Sequence, residues 1–155
     1  RVFYMDEKGI YEDGSPAQIF DLPQKPKTRA FIKKITSFIY EVPGKSFDLY
    51  ELNARVESFL TRQIFADRKI KNVQLVCEEL LSGILLDAFP SACIAFTLEY
   101  SELTTELTVQ AEFEGPAYDL FAAAAGSIPL AIIENFAKNI STAYEDGINR
   151  VQLIM

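Results

Sequence analysis

The groups in this chain with the most chemistry to offer are the adjacent carboxylates Glu78 and Glu79, a further acid at Asp87, and the thiols of Cys77 and Cys93. A pair of carboxyl groups can act as general acid and general base. Adjacent residues on a helix point about 100° apart, so at most one of Glu78 and Glu79 faces a site. Asp87 falls near a helix C-terminus, where a negative charge is mildly unfavourable. Cys77 lies on an apolar stripe and Cys93 near a strand start, positions that suit packed or idle thiols better than nucleophiles. The chain contains no His, which removes imidazole bases and Cys/His zinc sites, and two cysteines make no disulfide framework. Most hydrolase chemistry is excluded with them.

The elements that hold these residues follow from hydrophobic period. Residues 1–12 alternate and turn at Asp6 to Gly9, a hairpin whose second arm ends before Asp13-Gly14-Ser15-Pro16. Asp13 to Lys27 carries three of the seven prolines and reads as loop. Thr28 to Val42 is ambiguous in period; its second part, rich in β-branched and aromatic residues, predicts a strand over Ile35 to Val42. Leu49, Leu52, Val56, Phe59/Leu60 and Ile64 then recur at helical spacing behind a capping box of Asp48 and Glu51. Val73, Val76/Cys77, Leu80, Ile84 and Ala88 predict a second helix, with Asn72 as cap and Phe89-Pro90 as stop. Residues 94–100 and 107–114 alternate as half-buried antiparallel strands turning over 101–105. A small-residue segment at Ala122 to Gly126 precedes a short helix from about Ser127 to Lys138. Two last strands, Ile140 to Tyr144 and Ile148 to Met155, turn at Glu145-Asp146-Gly147. The fold class is therefore α+β, a two-layer sandwich of a mostly antiparallel sheet with helices on one face. Residues 1–34 form an N-terminal hairpin and loop extension, and residues 35–155 the α+β domain.

Composition narrows the setting. With 155 residues, 49% apolar and 24% charged, one soluble domain is expected to bury roughly two-thirds of its unfolded surface. The longest weakly polar stretch, Leu120 to Ile133, is broken by Gly126, Ser127 and Pro129, so no membrane span is expected. The net charge of -7 hides an asymmetry: residues 1–77 carry 13 Lys and Arg against 10 Asp and Glu, whereas residues 78–155 carry 2 against 12. The second half repels polyanions, and neither half has the dense basic footprint of a nucleic-acid binder. The group Lys25, Lys27, Arg29, Lys33 and Lys34 reads as a solvated basic segment. A cytoplasmic location with two free thiols is expected, and Arg1 in place of a start Met suggests a piece of a longer protein.

The run Glu78-Glu79-Leu80-Leu81-Ser82-Gly83-Ile84-Leu85-Leu86-Asp87-Ala88 resembles the second helix of the ATP-binding fold shared by histidine kinases and gyrase-type ATPases, and most closely that of the anti-sigma factor serine kinases. Glu114-Gly115-Pro116-Ala117-Tyr118-Asp119 is similar to their Asp-x-Gly-x-x-Phe-Asp segment. Leu130 to Ile133 and Tyr144 to Val151 look like their terminal helix and hairpin. The resemblance spans about residues 35–155. It implies a nucleotide pocket at Glu79, Gly83, Asp87, Phe113, Gly115, Asp119 and Gly126, with Glu79 in the place of the catalytic acid.

Several of those positions depart from the pattern. Gly83 stands where the family has an Asn that helps to hold Mg²⁺, and Phe113 where an Asp reads the adenine. The lid segment, Ala122 to Pro129, has one Gly, and no Lys or Arg occurs from Gly115 to Ala137. Losing the metal ligand and the adenine acceptor together costs about a hundred-fold in affinity. The expectation is a degenerate member of the fold: a non-catalytic regulatory module, with no cofactor and no metal site. It is expected to work by contact with a protein partner that offers a basic surface, or by self-association. Two alternatives stand beside it: an active Mg-ATP-dependent protein serine kinase or ATPase with Glu79 as base, and a cytosolic domain of a larger bacterial transporter or signalling receptor.

Overall fold

A computed structural model describes all residues from 1 to 155. In chain order its elements are β1 (Val2–Asp6), β2 (Gly9–Gly14), α1 (Pro16–Phe20), α2 (Pro26–Ile32), β3 (Ile35–Val42), α3 (Leu49–Arg62) and α4 (Asp67–Glu78). A π-helical segment (Glu79–Leu85) follows, then α5 (Leu86–Ala88), β4 (Ile94–Ser101), β5 (Glu106–Glu114), α6 (Leu120–Ala123), α7 (Ile128–Phe136), β6 (Asn139–Glu145) and β7 (Ile148–Ile154). Five strands form a mainly antiparallel sheet in the order β3-β4-β5-β7-β6, and β1 pairs with β2 alone. This is the expected two-layer α+β sandwich. The chain forms two compact units, residues 1–37 with 99–106, and residues 38–98 with 107–155.

In the first unit the hairpin forms, and its second arm runs on through Gly14. The segment from Asp13 to Lys27, expected as loop, contains α1 and the start of α2. The cause is local. Ser15 accepts from the Gln18 N–H while the Gln18 side chain accepts from the Ser15 N–H, a complete capping box, and Pro16 and Pro26 each occupy the first turn of a helix, where a missing N–H costs nothing. The basic group is exposed, as expected of a solvated segment, with Lys27 paired to Asp6 at 2.8 Å and Lys25 and Lys27 both over the Tyr11 ring. Buried Glu12 accepts from the amides of Gln24 and Lys25 at 2.8 and 3.1 Å. Its carboxyl sits below the ordinary range, chiefly through the neighbouring Thr28 hydroxyl and, against the opposing effect of burial, through those two amides.

In the second unit, Phe96, Leu98, Leu107, Val109, Ala111, Val151 and Leu153 are buried at alternate strand positions, as a sheet with one covered face requires. Against them lie Leu52, Val56 and Leu60 of α3 and Val73, Val76 and Cys77 of α4, all fully buried. Asp48 caps α3 by accepting from the Glu51 N–H at 3.0 Å. The reciprocal half of the expected capping box does not form, because the Glu51 carboxylate instead pairs with Arg55 at 2.7 Å and accepts from the Tyr40 hydroxyl at 3.3 Å.

The second predicted helix begins at Asp67 behind Ala66, with Asn72 inside α4 and not its cap. It also changes winding at Glu79, where seven residues adopt the wider π turn. That turn puts Leu80, Leu81, Ile84, Leu85 and Leu86 all into the core, at 4% exposure or less. An α-helix would spread those five positions over a wider arc.

Ile64, expected on the apolar stripe of the first helix, lies past its end and is 93% exposed. It takes the left-handed conformation at φ 60°, with the Phe65 N–H reaching back to the Leu60 carbonyl at 3.2 Å, a helix-ending turn that normally uses Gly. A β-branched residue is strained there. Ile64→Gly should therefore stabilise the fold by up to about 1 kcal/mol in denaturant unfolding; a loss of stability would show that the Ile64 side chain makes a contact of value.

Candidate functional site

The seven pocket positions lie in the second unit, on the π-helical segment and α5 and on the chain from the end of β5 to the start of α7. The π-helical segment packs against α7. At Gly83 a Cβ would lie 3.0 and 3.1 Å from Cγ and Cβ of Pro129 and 2.8 Å from Oε2 of Glu79. Real Cβ atoms do not approach a proline ring so closely without something giving way. Gly83 is thus the point at which α7 closes on the π turn, and the Glu79 side chain folds along the same spot. Pro129 follows Ser127, whose hydroxyl accepts from the Leu130 N–H at 3.2 Å and so starts α7 at this place.

A second cluster surrounds Phe113, which is 3% exposed. Its ring lies 5.2 Å from that of Phe89 and 6.5 Å from that of Tyr118, and Phe89 meets Tyr118 edge-on at 5.1 Å, the tilted arrangements that aromatic quadrupoles prefer. Burial, and secondarily the charge of Asp87, push the Tyr118 hydroxyl above its ordinary range. Asp87 itself is exposed and pairs with Lys45 at 3.5 Å. Asp119 caps α6 by accepting from the amides of Phe121 and Ala122 at 3.0 and 3.1 Å. Gly126 takes φ 73° with nothing near its open side and makes the turn between α6 and α7. The Gly115 N–H donates to the Gly147 carbonyl at 3.0 Å.

Asn149 organises this region without having been marked as a site residue. It is 2% exposed, its Oδ1 accepts from the Tyr118 N–H at 2.8 Å, and its Nδ2 donates to the Pro116 carbonyl at 2.9 Å. One side chain thereby satisfies two backbone groups of the loop that carries Tyr118 and Asp119. A buried strand position filled by Asn in an otherwise apolar alternation, Asn149, Val151, Leu153, is the signal that could have found it.

Nowhere do three or more Asp, Glu or Cys side chains gather as a metal-holding group, and no helix is long and apolar enough to cross a membrane. An open groove of about 650 Å³ is bounded by Ile39, Glu41, Cys93, Ala95, Glu112 and Ile148, among others. Ile39 and Ile148 are 70% and 40% exposed there. Arg150 pairs with Glu112, which leaves the carboxylates of Glu41 and Glu114 as further negative charge on the groove wall. The Cys93 thiol donates to Glu41 at 3.2 Å.

No protein-family model and no curated protein sequence matches the chain. Among solved structures, a chain in the crystal structure of the SiaB-SiaC complex from Pseudomonas aeruginosa is similar in fold, with a TM-score of 0.58 at 12% sequence identity, covering 83% of this chain and 94% of that one. At that identity the likeness is one of fold.

The two thiols should separate cleanly in reactivity. Cys77 is fully buried, and burial pushes its thiol up to about 12. Cys93 is exposed, but its hydrogen bond to Glu41, followed by burial and the Glu41 charge, raises it as well. A disulfide reagent should therefore modify a single thiol in the native protein at neutral pH, more slowly than free cysteine and faster as the pH rises. Glu41→Gln should accelerate that reaction at neutral pH. Rapid modification of both thiols before unfolding would contradict this account.

Proposed function

We propose that this chain is a regulatory protein-interaction module with a fold like that of the anti-sigma factor kinases and a lost or very weak nucleotide site. The observation that carries the reading is the closure at Gly83. The position that would carry the magnesium ligand has no side chain, and even a Cβ there would crowd the Pro129 ring at 3.0 and 3.1 Å and displace the Glu79 carboxylate. Support also comes from Phe113, whose ring packs with Phe89 and Tyr118 where an adenine-reading acid would stand. Asp87 pairs with Lys45 and Asp119 caps a helix, so the remaining acids have structural work. The similar solved chain belongs to a protein–protein complex, which fits a role exercised through protein contact.

The partner expected is a protein with a basic surface. Residues 78–155 carry 12 acids against 2 bases, and the groove between Ile39 and Ile148 joins apolar surface to the carboxylates of Glu41 and Glu114. A basic segment with apolar side chains complements both features, and its association should weaken with salt.

Thermal unfolding with Mg-ATP tests the nucleotide half of this reading. A ligand present at 100 times its dissociation constant stabilises by about 2.7 kcal/mol. Wild-type protein should show no shift in millimolar Mg-ATP. Gly83→Asn should restore no binding and should lower stability by about 1–3 kcal/mol, because the Pro129 ring must move. Nucleotide stabilisation of the wild type would favour an active ATP-dependent serine kinase or ATPase using Glu79; stabilisation of Gly83→Asn alone would show a pocket that is open but unliganded.

A further inference from the structure

The strand pairings set the uncovered face of the sheet in rows across β5, β7 and β6, since directly opposed residues of a ladder point to one side. Thr108, Ile154 and Asn139 make one row, and Gln110, Gln152 and Ser141 the next, both without charge. In the third, Glu112 and Arg150 stand opposite one another and pair, beside Ala143. The fourth row, at the Gly115 and Gly147 end, reads Glu114, Ile148, Glu145. Both acids are exposed, and neither carboxylate has a hydrogen bond or an ion pair. Ile148 between them is 40% exposed and lines the open groove together with Ala95 and Ile39. Glu114 and Glu145 stand two strand spacings apart, roughly 10 Å. That is about one Debye length at physiological salt, so their repulsion is only partly screened and a cation at each relieves it.

We propose that this row receives an amphipathic basic helix of a partner protein, laid across the strands, with Lys or Arg at i and i+7 on Glu114 and Glu145 and an apolar side chain at i+3 or i+4 on Ile148. The proposal rests on the reading of this chain as a protein-interaction module and narrows its basic partner to one shape. Spacing selects the helix. Seven helical residues rise about 10.5 Å and return to the same side, with i+3 and i+4 between them. An extended chain returns to one side after about 6.8 Å or twice that, and neither matches the two acids. Charge selects the chemistry, because Arg150 already neutralises the neighbouring row and the uncompensated acids are confined to the two sides of one exposed isoleucine. A second copy docked row to row would bring four carboxylates together, the reverse of the self-complementarity that a two-fold interface needs.

Fluorescence anisotropy tests the assignment with a labelled alanine-based helical peptide that carries Lys at i and i+7 and Leu at i+3 and i+4. The wild type should bind it at low salt and release it as salt rises. Glu114→Gln and Glu145→Gln should each weaken binding about three-fold, and Ile148→Ser about ten-fold. Glu134→Gln, which removes an exposed acid from α7 in the other layer, should leave it unchanged. A peptide of the same composition with the second Lys at i+5, on the other side of the helix, should bind about three-fold more weakly. Equal weakening by Glu134→Gln and Glu114→Gln, or equal binding of the two peptides, would overturn this placement and leave the basic partner standing. Binding of neither peptide would overturn both, and none of these results bears on the nucleotide site. A wild-type dimer in sedimentation velocity that Ile148→Ser dissociates would give the row to a second copy and also overturn the proposal.

Discussion

The contact between Pro129 and the bare backbone of Gly83 governs the architecture of the second unit. A glycine in the middle of a helical run costs about 1 kcal/mol relative to alanine, and here it allows α7 to close on the π turn so tightly that a Cβ would require the Pro129 ring to shift. The π winding and the glycine act together. The wider turn directs Leu80, Leu81, Ile84, Leu85 and Leu86 inward, while the missing Cβ opens the outer side of the same turn to the proline ring. Closing that turn fixes where α7 starts, and with it the path of the chain from Asp119 to Ser127.

Once α7 is set, the neighbouring polar groups are absorbed by structure. Asn149 holds the loop from Pro116 to Tyr118 through two backbone hydrogen bonds, and Tyr118 completes an aromatic cluster with Phe89 and Phe113. Asp119 is taken up in capping α6, and Asp87 in an exposed pair with Lys45 that contributes little to stability. Elsewhere lie the exposed isoleucines of the open groove, beside Glu112 paired with Arg150 and Glu41 bonded to Cys93, and the edge strand β6.

Much of the fold was legible in the sequence, because periodicity is a direct image of burial. The strand at Ile35–Val42, the two central strands, the final hairpin and the layering all follow from apolar alternation. The misread segments are those where local chemistry outweighed pattern. Ser15, Pro16 and Gln18 encode a helix start inside a stretch that its prolines made look like loop. Ile64 continues the apolar spacing of α3 while its backbone has already left the helix. The π turn is hidden for a related reason: seven residues of altered winding shift the period by less than the spacing of an irregular apolar run reveals. Of the site, the departures at Gly83 and Phe113 are plain in the sequence, since residue type alone forbids the expected roles. What fills the space could not be read, because Pro129 meets Gly83, and Tyr118 meets Phe89, only through the tertiary fold.

If Pro129 and Glu79 take up the space beside Gly83 and leave no nucleotide pocket there, nucleotide should leave the dynamics of this region untouched. Amide hydrogen exchange followed residue by residue, with and without saturating Mg-ATP, measures this directly. The account predicts identical protection along Glu79 to Ala88 and from Asp119 to Pro129 in both conditions. Slowed exchange in those two segments on adding nucleotide would contradict it.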